Sequence, residues 1–203
     1  MLTREDWTRA SGSPPDIKGL VWYTDGSKMK EGSGAGVYEL SVKRRLGFSL
    51  SKHKTVFQAE IYAILDCVCE IQLQNRPQKY VSICSDSQAA LKGLQAIRTT
   101  SPLVQQCQRA LNDISAQYVV GLYWVPGHAG VRGNKIVDGL ARSGSALGLI
   151  GTEPALGVSR SGIRKRLSRW LTNQHWASWR DSKAGSRIDL GALSRYQDQT
   201  FVL

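Results

Sequence analysis

The stretch LVWYTDGSKMKEGSGAGVYELSVKRRLGFSL, residues 20–50, contains three short apolar runs separated by turns. The first run, residues 20–24, is apolar and aromatic. The second, residues 35–40, follows a glycine-rich turn, and the third, residues 45–50, places alternate apolar side chains on one face. Connections this short join only antiparallel strands. We therefore predict an antiparallel meander of three β-strands at the start of the fold.

The spacing of apolar residues becomes helical after this meander. Apolar side chains between Phe57 and Ile71 recur every three or four residues, which predicts a helix of about five turns. The remaining predicted elements are a strand at residues 80–84, helices through residues 91–97 and 102–114, a strand at residues 118–125 and a helix through residues 137–144. Strands that are separated by helices pair in parallel. The predicted fold class is α/β, with a mixed five-stranded sheet of an antiparallel meander plus two parallel strands, flanked by helices.

The chain has 203 residues, enough for one domain of ordinary size and an appendage. We expect a leader or linker at residues 1–18, a globular domain at 19–148, and a basic, tryptophan-rich C-terminal extension at 149–203. Within the extension, residues 163–171 combine an apolar stripe with several basic side chains, which predicts a helix.

Charge is the main compositional feature of this chain. There are 27 Lys and Arg residues against 16 Asp and Glu, a net charge of +11. Such a surface attracts polyanions such as nucleic acids, although excess charge also serves solubility alone. The four cysteines lack zinc-site spacing, which favours buried free thiols. Neither an apolar run long enough to span a membrane nor a signal peptide is found, so we expect an intracellular protein without a membrane partner.

Four carboxylates lie at strand ends or beside apolar helix faces, where an acidic side chain is not needed for solubility. Asp25 ends the first predicted strand, Asp86 follows the fourth, and Glu60 and Asp138 lie beside the buried stripes of their helices. Taken singly, each is explained as a turn former, a helix cap or a surface residue. Taken together, carboxylates that converged would repel one another unless divalent cations neutralised them. The pattern therefore indicates a candidate metal site, although the spacing alone leaves the simpler explanations open.

The chain resembles ribonuclease H of type 1, most closely the version fused to reverse transcriptases of non-LTR retrotransposons. The resemblance spans about residues 19–148. It is carried by YTDGS (23–27), FQAE (57–60), CSDSQAAL (84–91), WVPGHAGVRGN (124–134) and VDGLAR (137–142). It implies a ribonuclease H-like fold and an endonuclease that hydrolyses the RNA strand of RNA/DNA hybrids, leaving 5′-phosphate and 3′-hydroxyl ends. It also implies a retroelement origin, with an associated reverse transcriptase as a partner.

The resemblance assigns the following roles to individual residues. Asp25, Glu60, Asp86 and Asp138 match the acidic ligands of two Mg²⁺ ions, for which Mn²⁺ is a substitute. His128, in a loop flanked by glycines, matches a catalytic histidine that moves protons or assists product departure. The expected substrate-binding residues are Gly26, Ser27, Gln58 and Asn134.

This sequence departs from the family at three places, one of which is the stretch Arg98 to Ser101, too short for the basic handle that some members insert between helices. Cellular members carry paired asparagines where Val56 and Phe57 stand here, which leaves open how the chain contacts the 2′-hydroxyl groups of RNA. The family often has Asn-Glu where this chain has Asn134-Lys135, a change for which we expect tuning rather than loss of activity.

Two other functions remain as alternatives. One is a catalytically inactive module that binds hybrids or other partners on the same fold, which the presence of all four carboxylates disfavours. The other is a transposase, integrase or resolvase, whose members share this fold. The basic extension contacts phosphates or, alternatively, docks its apolar stripe on a protein surface. We expect deletion of residues 151–203 to weaken hybrid binding.

Overall fold

The computed structural model describes residues 17–147 and 156–181. The chain divides into two compact units, the first ending at Ser159 and the second beginning at Arg160. The described elements of the first unit are β1 (Leu20–Lys28), β2 (Ser33–Glu39), β3 (Arg45–Leu50), α1 (Val56–Gln74), β4 (Tyr80–Ser85), α2 (Gln88–Gln95), α3 (Pro102–Ser115), β5 (Val119–Trp124) and α4 (Arg132–Ala146). The second unit contains α5 (Arg160–Asp181).

The five strands form one mixed sheet in the order β3-β2-β1-β4-β5. The pairs β1–β2 and β2–β3 are antiparallel, whereas β1–β4 and β4–β5 are parallel. This topology confirms the predicted meander with two added parallel strands. Because β1, β4 and β5 run in the same direction, their carboxyl ends meet at one edge of the sheet.

Strand β1 is longer than the sequence predicts. Its parallel ladder with β4 stops at the pair Thr24–Ser85, where the predicted strand ends. Its antiparallel ladder with β2 continues through Lys28, which pairs with Ser33, so the prediction that Asp25 ends the strand is wrong on the β2 side. The hairpin continues because β2 supplies hydrogen-bond partners beyond the last residue of β4. Asp25 is therefore held in a regular strand and stands just past the end of the β4 ladder.

Helices cover both faces of the sheet. Trp22 packs with Val68 and Ile71 of α1, whereas the next residue, Tyr23, packs with Val137 of α4. Successive side chains of a strand point to opposite faces, so α1 and α4 lie on opposite sides of β1. The two helices that carry predicted site residues are thus both anchored in the core.

Helix α1 begins where the sequence predicts a change of period. Thr55 is its N-cap and forms a capping box with Gln58: the Thr55 hydroxyl accepts from the Gln58 backbone N–H at 3.1 Å, and Gln58 Oε1 accepts from the Thr55 backbone N–H at 3.1 Å. The cap fixes the first turn of α1, which precedes Glu60.

The second unit is described by α5 alone. Its apolar stripe is exposed, with 53 to 57% of the surface of each residue accessible within the described part of the chain. The stripe consists of Ile163, Leu167, Trp170 and Leu171. Four basic residues on the same helix, at positions 164–166 and 169, are exposed as well. Across the described ranges, no helix combines the length and the hydropathy that a membrane span requires.

Candidate active site

Three carboxylates converge at the edge of the sheet where the parallel strands end. Asp25 comes from β1, Glu60 from the second turn of α1, and Asp86 directly follows β4. One oxygen of each lies within 4.8 Å of the other two. Asp25 and Glu60 are buried, with only 6% and 5% of their surface exposed, and Asp86 is half-buried. The structure thus brings together three of the four predicted carboxylates.

Gly26 allows β1 and α1 to approach closely enough to form this cluster. A Cβ atom on Gly26 would lie 2.7 Å from the carbonyl carbon of Ala59 and closer still to the backbone nitrogen of Glu60. A glycine is therefore required here by contact rather than by its backbone angles. Hydrogen bonding with the Gly26 backbone lowers the pKa of both Asp25 and Glu60. Gly26, a predicted substrate-binding residue, lies at the centre of the site.

Burial and mutual repulsion make ionisation of this cluster unfavourable. Burial, and then the charges of Asp86 and Asp138, raise the pKa of Asp25 from 3.8 to about 7. Burial, and then the charges of Asp25 and Asp86, raise the pKa of Glu60 from 4.5 to about 9. In addition, Glu60 Oε2 is buried without a hydrogen-bond partner among the described residues. The described residues therefore supply too little positive charge and too few hydrogen-bond donors to stabilise the ionised carboxylates of the cluster.

The donor set fits a hard divalent cation. All three groups are carboxylates, the ligands that Mg²⁺ and Mn²⁺ prefer, and their oxygens are close enough to share an ion. A cation at this position would also give the unpartnered oxygen of Glu60 a ligand and would remove the repulsion that raises the two pKa values.

Two side chains fix the position of Asp86. Asn134 of α4, itself 5% exposed, donates from Nδ2 to Asp86 Oδ2 at 3.1 Å. The indole Nε1 of Trp124 donates to the backbone carbonyl of Asp86 at 3.1 Å. A carboxylate oxygen only accepts, which sets the orientation of the Asn134 amide. Asn134, predicted to bind substrate, thus supports a cluster carboxylate.

Asp138 lies near the three-carboxylate cluster but is not part of it. Its Oδ1 atom accepts from Arg142 Nε at 2.9 Å, one turn further along α4. Asp138 is nonetheless close enough for its charge to raise the pKa of Asp25, whereas the charge of Arg142 lowers it. Arg142 therefore offsets part of the negative charge of the site. The metal-ligand role of Asp138 stays a prediction.

An open cleft of about 420 Å³ lies on the α4 side of the cluster. It is lined by Asp86, Pro126, His128, Ala129, Gly130, Val131, Asn134, Lys135, Asp138 and Arg142. His128 is exposed and adopts a left-handed backbone angle, φ 54°, which is uncommon outside glycine but is found more often for asparagine, aspartate and histidine than for other residues. The loop therefore holds the imidazole at the wall of the cleft.

Gln58 is engaged elsewhere in this structure. Besides its part in the cap, its Nε2 donates to the backbone carbonyls of Leu156 and Gly157, at 3.4 and 3.3 Å. The carbonyl of Gly157 also accepts from Lys54 Nζ at 3.0 Å. Gln58 must exchange these partners before it contacts a substrate. Ser27 is half-buried in β1, two residues after Asp25.

Sequence analysis missed the roles of Trp124 and Arg142. Both residues lie inside the motifs that carry the resemblance. An Asp and an Arg four residues apart on a helix are neighbours on its surface, so the ion pair with Asp138 was predictable from the spacing. No local signal indicates that the Trp124 indole contacts the backbone of Asp86, because the two residues are 38 positions apart.

Comparisons with known proteins identify the family and the fold. A family model described as RNase H matches residues 17–146, which contain the four predicted carboxylates and His128. Among solved structures, RNase H1 from the halophilic archaeon Halobacterium salinarum NRC-1 matches with a TM-score of 0.50 and 19% sequence identity. That match covers 62% of this chain and 96% of the archaeal chain. At this identity the structural similarity concerns the fold.

Proposed function

Because the chain belongs to the RNase H family, we propose that it is an endonuclease that hydrolyses the RNA strand of RNA/DNA hybrids. We propose further that it leaves 5′-phosphate and 3′-hydroxyl ends. The observation that carries the proposal is the convergence of Asp25, Glu60 and Asp86 within 4.8 Å at the carboxyl edge of the sheet. The net charge of +11 supports a polyanionic substrate.

The proposed mechanism uses two Mg²⁺ ions, with Mn²⁺ as a substitute, held by Asp25, Glu60, Asp86 and Asp138. When bound, such ions supply an activated water and stabilise the departing 3′ oxygen. The protein's own contribution is positioning: Asn134 and Trp124 hold Asp86, and the capped first turn of α1 holds Glu60. Before metal ions bind, the positive charge of Arg142 reduces the repulsion between Asp138 and the other carboxylates.

We assign His128 the exchange of protons between the product and solvent. Its exposure and its place on the cleft wall support this role, since the imidazole nitrogens donate or accept hydrogen bonds and face both the cleft and solvent from there.

For recognition of RNA, Ser27 is the favoured contact to a 2′-hydroxyl. Gln58 donates to the carbonyls of Leu156 and Gly157, whereas the Ser27 hydroxyl has no hydrogen-bond partner among residues 17–147 and 156–181. Ser27 follows the cluster residue Asp25 by two positions in β1, so its hydroxyl is on the same face of the strand.

We further propose that the chain is of retroelement origin and acts with a reverse transcriptase. The support is the motif series from residue 23 to residue 142, together with Val56 and Phe57 at the positions where cellular members carry asparagines.

The proposal is tested with a labelled RNA/DNA hybrid, and with double-stranded DNA and double-stranded RNA as controls. In Mg²⁺ we expect cleavage of the hybrid's RNA strand only. The variants Asp25→Asn and Asp86→Asn should lose at least a hundredfold in rate, because they remove cluster carboxylates directly. The matched control is Asp113→Asn, on the exposed surface of α3, which should cleave like the wild type.

Other outcomes lead to different functions. Hybrid binding without cleavage in either Mg²⁺ or Mn²⁺ would support the inactive binding module instead. Cleavage of double-stranded DNA would point to the transposase-like alternative.

A further inference from the structure

The cleft beside the cluster has walls of unlike charge. Asp86, a cluster carboxylate, follows β4, whereas Lys135, Asp138 and Arg142 line the same cleft from α4. Lys135, Asp138 and Arg142 are spaced by three and four residues, so they lie on one face of the helix. The cleft therefore presents positive charge directly next to the proposed cutting site.

The two basic residues differ in what they contact. The Arg142 guanidinium pairs with Asp138 at 2.9 Å. Lys135 is exposed, and no carboxylate of residues 17–147 or 156–181 lies in ion-pair distance of it. An exposed ammonium without a carboxylate partner can bind an anion without first breaking an ion pair. Lys135 is thus the cleft cation available to a ligand.

The position of Lys135 determines which anion it meets. It lies three residues before Asp138 on α4, and side chains at this spacing are about 5–6 Å apart at Cβ. A strand whose phosphate is held at the carboxylates therefore brings its next phosphate into the reach of a lysine side chain. The strand at the carboxylates is the one that is cut.

We propose that Lys135 binds a backbone phosphate of the RNA strand adjacent to the phosphate that is cleaved. The inference rests on the proposed function, which supplies the hybrid as substrate. Lys135 thereby anchors the reacting strand on the α4 side of the cluster, at a position where the family often carries a glutamate. It increases the affinity for the hybrid and helps to set which phosphate lies at the cluster, and it takes no part in the bond-breaking step.

The test measures hybrid binding by the wild-type chain and its variants with Ca²⁺, a hard cation that also takes oxygen ligands, in place of Mg²⁺, and the hybrid is verified as intact afterwards. Salt dependence gives the number of phosphate contacts. Lys135→Gln should make the slope of log affinity against log salt shallower by about 0.9. If the two proteins bind the hybrid equally at 1 M salt, Lys135→Gln should bind it roughly eightfold more weakly than the wild type at 0.1 M salt. Lys135→Arg should keep the wild-type slope, since it keeps the charge.

The matched control is Lys79→Gln. Lys79 is also exposed but precedes β4, so it lies at the opposite end of that strand from Asp86, about 23 Å away at 3.3 Å per residue. A loss for Lys79→Gln equal to that for Lys135→Gln would mean that only overall charge matters, and would overturn the proposal.

Neutral methylphosphonate linkages in one strand at a time identify the strand that is contacted. The effect of Lys135→Gln should vanish when the central RNA linkages are neutral and persist when the DNA linkages are neutral. The reverse pattern would overturn the assignment to the RNA strand. Wild-type cleavage with an unchanged slope for Lys135→Gln would reject this proposal and leave the proposed function standing. Absence of both cleavage and binding would reject both.

Discussion

Replacing Glu60 with glutamine should stabilise the metal-free protein at neutral pH. Glu60 is 5% exposed, and its pKa is raised to about 9 by burial and by its neighbours Asp25 and Asp86. At pH 7 the unfolded chain ionises this group, whereas the folded protein must keep it protonated about 2.5 pH units above the ordinary value of 4.5. At about 1.36 kcal/mol per unit, this costs the folded state about 3 kcal/mol, which a neutral glutamine avoids.

The pH dependence of this gain has a defined sign. The folded protein binds more protons than the unfolded chain between pH 4.5 and 9, so wild-type stability falls relative to the variant as pH rises through that window. The gain from Glu60→Gln should be under about 1 kcal/mol at pH 5 and about 3 kcal/mol at pH 7. Well below pH 4.5 the wild type and Glu60→Gln should be equally stable, because Glu60 is then protonated in both the folded and the unfolded chain.

Urea unfolding in EDTA, followed by tryptophan fluorescence at pH 5, 6, 7 and 8, measures this difference. Glu31→Gln, at an exposed carboxylate, controls for loss of charge alone and should show no comparable trend. With Mg²⁺ added, the wild type should gain stability and Glu60→Gln should gain less, since a ligand stabilises the state that binds it. A gain that does not vary with pH, or a variant less stable than the wild type at pH 8, would refute the reasoning.

Three further changes have expected outcomes. Gly26→Ala forces a methyl group against the backbone of α1, so it should lower the free energy of unfolding by about 1–3 kcal/mol and abolish cleavage; wild-type stability in urea would contradict this. His128→Asn keeps a residue that tolerates the left-handed backbone but loses the imidazole, so kcat should fall roughly a hundredfold while stability stays within about 0.5 kcal/mol; unchanged kcat removes His128 from the mechanism. Deleting residues 160–203 removes the basic α5, so hybrid binding at low salt should weaken; equal affinity shows that the extension has another task.

The sequence predicted those parts of the fold that depend on short-range patterns. The alternation of residues 45–50 and the helical period from Phe57 to Ile71 are local, and each correctly identifies its element. The end of β1 was misjudged at Asp25 because strand length there depends on pairing with β2, which no property of β1 alone reveals.

The candidate site was predictable to the extent that it follows from topology. Once β1 and β4 are parallel neighbours, Asp25 and Asp86 must meet at one edge of the sheet. The contact from Asn134 to Asp86 depends on side-chain geometry between a helix and the end of a strand, to which a one-dimensional pattern is insensitive. The ion pair between Asp138 and Arg142, by contrast, follows from their spacing of four residues on one helix.

The attachment of Leu156 and Gly157 to the start of α1 bears on how the nuclease unit is isolated or transplanted. The family match ends at residue 146, so a fragment designed on that match would omit both residues. Such a fragment would take the Gly157 carbonyl away from Lys54, which is 6% exposed, and from Gln58, and would uncover the apolar surface that Leu156 covers. A lost buried hydrogen bond costs about 1–3 kcal/mol. A fragment of the nuclease unit should therefore include Leu156 and Gly157, and a fusion junction or a protease site is best inserted after Ser159, where the first compact unit ends.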